Sequence, residues 1–145
     1  MTSRLDYDTI HKHLQNIQES LTVLEQMRNI PLADFKEDIV RSWAVERGLE
    51  RCIQNVLDIG GHILASIGVS LPSEYRQIIR QLGEQGVLPT SFAEQMAPMA
   101  GFRNLLVHEY LQIDFDRVYD MLQNHLDDFR AFAYYVAEFM KSNGG

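Results

Sequence analysis

Apolar residues recur along this chain at alternating steps of four and three, a spacing that suits helices and does not suit strands. The clearest run is Ile10, Leu14, Ile17, Leu21 and Leu24. On a helix these form one stripe, with Lys12, Gln15, Glu19 and Gln26 outside it. Pro31 ends the run. Asp34 followed by Glu37 signals the start of a longer helix, expected over residues 35–67 with an apolar seam of Ile39, Trp43, Ile53, Leu57 and Leu64. After a turn at Gly68–Pro72 comes a short helix with Tyr75, Ile78, Ile79 and Leu82 on one side, closed by Gly83 and Gly86. Ser91 and Glu94 read as the capping box of the next helix, which Pro98 and Gly101 kink or restart. Asp114 or Asp116 caps a last helix with the seam Val118, Leu122, His125, Phe129, Phe132, Val136 and Phe139.

These segments predict an all-α fold: one domain over residues 1–145, an antiparallel up-down bundle of four to five helices with a frayed tail at 141–145. A hydrophobic content of 46% is enough for a real core. Apolar residues on more than one face (Ile39 with Val40, Leu105 with Leu106, Phe132 with Tyr135) point to a homodimer. No apolar run reaches the roughly 18–20 residues of a membrane span, and Met1–Asp6 has no apolar signal region. The single Cys52 excludes a disulfide within the chain and fits a reducing compartment, so a cytoplasmic protein without membrane contact is expected. The net charge of −7 argues against a broad nucleic-acid-binding surface, though not against a small cleft holding a few arginines.

Several polar residues sit where a helix should be apolar. Glu46 and Glu50 fall on the seam of the long helix, so they either meet an arginine or mark a small shift of register that leaves them solvated. Arg51, Asn55, Asp58 and His62 follow one another at steps of three and four, as either a solvated face or the polar floor of a cleft. Gly60-Gly61 inside that helix implies close approach of another helix or a bend. His11 and His13 read as surface residues, and His125 as a satisfied core or interface histidine.

The segment Gly101–Tyr110 carries the chemistry. On a helix Arg103 and Tyr110, seven apart, are nearly superimposed, and Asn104 and His108, four apart, are aligned, while Phe102, Leu105 and Leu106 face the core. An arginine fork suits phosphate, and an imidazole exchanges protons near neutral pH. Those groups suffice to cleave RNA without a metal, except that one copy holds a single good acid/base. A symmetric dimer would bring a second.

The string Met99–Tyr110, with Arg103, Asn104, His108, Glu109 and Tyr110, resembles the R-x4–6-H-x-Y motif of HEPN domains, and its HepT-like branch in particular. Ala44–Arg47 and Leu57–Ile63 on the long helix resemble that branch too. The resemblance implies a dimeric helical bundle acting as a metal-independent endoribonuclease toxin of a toxin–antitoxin pair. Its partner would be an MntA-type nucleotidyltransferase that attaches AMP to Tyr110. Arg103 and His108 would be catalytic, with Asn104 orienting or binding phosphate. Asp58, His62, Glu46 and Glu50 would be supporting or cleft residues, and no cofactor or metal would be required. The other reading is a non-catalytic helical module that binds nucleotide or serves a nucleotidyltransferase.

Overall fold

The structure is a computed structural model that describes residues 5–108 and 114–143, without the side chains of Leu105, Val107 and His108. Seven helices and no strands are found among the described residues: α1 Tyr7–Met27, α2 Leu32–Glu37, α3 Ile39–Ser66, α4 Tyr75–Glu84, α5 Thr90–His108, α6 Phe115–Asn124 and α7 Leu126–Ser142. The 28-residue α3 is the spine, and every other helix packs on it. Leu24 lies against Gly48 while His13 lies against Asn55, so α1 and α3 run antiparallel. Gly83 meets Ala93 and Arg76 meets Gly101, which sets α4 antiparallel to α5. Arg130 reaches Glu25 and Tyr7 reaches the Asn143 carbonyl, giving the same relation for α7 and α1.

The bundle has more helices than the four to five expected because two expected helices are each broken once. Asp38, not Asp34, caps the long helix: its backbone is extended and its carboxylate accepts the Arg41 amide at 3.1 Å. The residues ahead of it form the separate turn α2. An unbroken helix would put Phe35 and Ile39, four apart, on one face. The break lets Phe35 be fully buried against Phe115 and Tyr119 while Ile39 remains exposed. The second break is at His125, which lies off the core stripe with Asp120 and Asp128 on either side at 3.4 and 3.2 Å. Asp114 caps α6 through the Arg117 amide.

Smaller expectations change as well. Helix α5 begins at Thr90 and is continuous through Pro98, so Ser91 lies inside it and Glu94 pairs with Arg80. Helix α7 continues to Ser142, into the segment expected to fray. The buried seam of α3 runs through Ser42, Val45, Leu49, Cys52, Val56, Ile59 and Ile63, one position off the expected register in its first half. Trp43 is consequently 60% exposed, beside Ile39 and Val40. Gly60 is where α4 approaches closely: a Cβ there would lie 2.8 Å from Ile78 Cγ2. Burial pushes the Cys52 thiol up to about 12, so it packs as an inert core group.

Candidate active site

Helix α5 leaves the core at Phe102, which is 6% exposed, and turns the next residue, Arg103, toward α3 and α4. The Arg103 Nε–H donates to Gln54 Oε1 at 3.1 Å, and the guanidinium carbon stands 5.2 Å above the centre of the Tyr75 ring. Gln54 in turn donates from Nε2 to Asp58 Oδ1 at 2.9 Å, one helical turn further along α3. A carboxylate can only accept, so Asp58 draws the amide nitrogen and leaves the amide oxygen facing the arginine. The guanidinium is thus held at Nε and on one face, and among the described residues no hydrogen bond occupies its terminal nitrogens, the pair that can grip an anion bidentately.

Two grooves meet at Tyr75. One, of about 390 Å³, is lined by Gln54, Asp58 and His62 on its polar side and by Leu57, Leu71 and Ile78 on its apolar side. The other, of about 500 Å³, is lined by Ser73, Glu74, Arg76, Gly101 and the exposed Asn104. The expected row on α3 is therefore divided. Asp58 and His62 face the cleft, whereas Asn55 is buried, donating to the Arg51 carbonyl and meeting His13 Nδ1 at 2.6 Å. His13 is accordingly half-buried and tied to α3 rather than a free surface residue, with its ring 5.8 Å from that of His62.

Neither glutamate of the long helix reaches Arg103. Glu50 pairs with Arg47 at 3.1 Å on the surface, and Glu46 is half-buried with its carboxyl held above the ordinary range by that burial. The α5 backbone includes His108, but the His108 side chain and all of Tyr110 lie outside the described residues. Gln54 and Tyr75 were not picked out from sequence as site residues. The four-residue step from Gln54 to Asp58 was available as a signal; nothing local marks Tyr75.

A profile described as ribonuclease HepT-like matches residues 10–136, nearly the whole bundle. The chain belongs to the ribonuclease HepT-like family. It is 33% identical over 110 residues to the tRNA nuclease HepT of Aphanizomenon flos-aquae, covering 76% of this chain and 75% of that protein. With the mRNA nuclease HepT of Shewanella oneidensis the identity is 29% over 100 residues, covering 69% and 75%. The solved structure of the tri-AMPylated Shewanella oneidensis HEPN toxin in complex with MNT antitoxin matches at a TM-score of 0.81 and 25% identity, covering 92% of this chain and 99% of that one. YutE of Bacillus subtilis matches at 0.85 with 18% identity, over 97% and 94% of the two chains, a likeness of fold alone. The HepT-like bundle thus carries the Arg103 clamp on the three helices that meet at Tyr75.

Proposed function

We propose that this chain is the ribonuclease toxin of a toxin–antitoxin pair, cutting RNA without a metal in a cleft shared by two copies. The observation that carries the reading is the arginine of the HepT-like motif fixed at Nε by Gln54 and stacked on Tyr75, the residue at which the two grooves meet. A phosphodiester bound there would be polarised by Arg103, and charge developing on its oxygens would meet a cation already in place. His108 takes the proton of the 2′-hydroxyl as that oxygen bonds to phosphorus. The bond to the 5′-oxygen breaks, and a second acid protonates the leaving group. The His108 of a second copy supplies that acid, which is why a homodimer belongs to the proposal. The exposed Ile39, Val40 and Trp43 add an uncovered apolar surface on α3, about 16–22 Å along the helix from Gln54. Asn104 binds phosphate, while Asp58 acts through Gln54.

The proposed partner is an MntA-type nucleotidyltransferase that attaches AMP to Tyr110 and so blocks the cleft; both relatives named as nucleases and the complex with MNT antitoxin support this. With RNA as substrate, the protein works in the cytoplasm. Among the described residues, no helix is long and apolar enough to cross a membrane.

The test is purified protein with total RNA in EDTA. Wild type should cut and His108→Ala should not; equal, intact RNA from both removes the nuclease reading. Light scattering should give a dimer at micromolar concentration. Produced with its partner and ATP, the chain should gain mass in multiples of one AMP, and Tyr110→Phe should abolish the gain.

A further inference from the structure

Five of the ten arginines of this acidic chain are already neutralised: Arg28, Arg41, Arg47, Arg80 and Arg130 each pair with a carboxylate. Arg51, Arg76, Arg103 and Arg117 have no carboxylate partner among the described residues, and of these Arg76 and Arg103 meet at the α4–α5 seam, Arg76 against Gly101 and Arg103 over the Tyr75 ring. The Arg76 guanidinium packs against Gly101 of α5, so close that a Cβ there would be 2.9 Å from Nη2 and 3.1 Å from Nε. Glycine at 101 is thus what lets this cation reach the helix of the motif. Arg76, Gly101 and Asn104 line one groove, and Tyr75 lines that groove together with the one beside Gln54.

We infer that Arg76 and Asn104 form a second phosphate subsite, which holds the RNA phosphodiester next to the one at Arg103. The inference rests on the nuclease reading for the identity of the anion, but its geometry is independent of cleavage. A net charge of −7 gives no general attraction for a polyanion, so affinity has to come from a few uncompensated cations placed close together. Arg76 supplies the second of these, and Asn104 an amide donor one helical turn along α5 from the Gly101 that Arg76 touches. Among the described residues Glu74 is the one carboxylate lining the groove, and it opposes the binding.

The test uses a labelled 2′-O-methyl oligoribonucleotide, which presents the phosphates of RNA but no hydroxyl for attack. Its affinity is followed by fluorescence anisotropy over a salt series. Arg76→Ala should weaken binding about 3- to 10-fold and lower the salt slope by about 0.7, the release expected from one phosphate of a single strand. Glu74→Gln should tighten binding. Gly101→Ala should displace the Arg76 guanidinium and weaken binding without lowering the melting temperature, since alanine favours the helix. Arg80→Ala, on the same helix but paired with Glu94, serves as the control and should match wild type. On cleavable RNA the Arg76→Ala loss should appear in KM more than in kcat. The subsite is overturned if wild type does not bind the oligonucleotide, or if Arg76→Ala keeps wild-type affinity and slope. Binding that depends on Arg76 in a protein that cuts nothing would support the subsite and reject the nuclease reading instead.

Discussion

Arg103 and Gln54, 49 positions apart in the chain, are joined by a single hydrogen bond of 3.1 Å between Nε and Oε1. The bond has a defined polarity because Asp58 holds the other end of the Gln54 amide at 2.9 Å. An arginine fixed at Nε has lost most of its rotamer freedom before any substrate arrives, so less entropy is lost on binding.

Removing that restraint should cost activity while leaving the fold intact. Gln54→Leu keeps the volume of a half-buried side chain but gives Arg103 no acceptor. RNA cleavage should fall by about 10- to 100-fold, chiefly in kcat, with an unchanged melting temperature. Asp58→Ala should produce a smaller loss, since the amide is then free to turn its NH2 toward the guanidinium. Cleavage within twofold of wild type in Gln54→Leu would show that the clamp has no part in the reaction.

Gly60 and Gly61 are adjacent yet should respond oppositely to alanine. At Gly60 the new methyl meets Ile78 Cγ2 at 2.8 Å and Leu82 Cδ1 at 3.2 Å, so α4 must move. Overpacking of about 1–3 kcal/mol outweighs the helix-propensity gain of about 1 kcal/mol, and the melting temperature should drop by about 3–5 °C. At Gly61 the nearest atom is Leu71 Cδ1 at an ordinary 3.6 Å, leaving only the gain. Thermal melts of the two single variants check the contrast; a Gly60→Ala protein as stable as Gly61→Ala would contradict the packing described.

Glu46 should make stability fall as pH rises. Burial raises its carboxyl above the ordinary glutamate value, so over that window the folded chain holds its proton more tightly than the unfolded chain does. Stability is then present in full at low pH and declines as the pH climbs through the raised value. Glu46→Gln removes the dependence. The variant should melt higher than wild type at about pH 7 and at the same temperature, relative to wild type, at about pH 4. A gain that persists unchanged at the acid end would place its origin elsewhere than in ionisation.

Helix content, the apolar stripes of α1 and α4 and the Arg103–His108 spacing on α5 were legible from spacing, because each depends on residues within a turn or two of one another, whereas Gly60-Gly61 left close approach and a bend both open. The breaks at Asp38 and His125 were not, since local periodicity continues across both. At Asp38 the demand that Phe35 be buried while Ile39 is not turns the chain.

The same division holds at the site. The sequence by itself determined that an arginine, an amide and an imidazole share the segment 103–108, and that Asp58 and His62 share a row of α3. Tertiary structure decided that Gln54 stands between Asp58 and Arg103, that Tyr75 lies beneath the guanidinium, and that Glu46 and Glu50 stay away from it. Those outcomes are set by the register of α3 and α4 against α5. A shift of one residue along a helix turns a side chain by about 100°, and that register is chosen by the whole core.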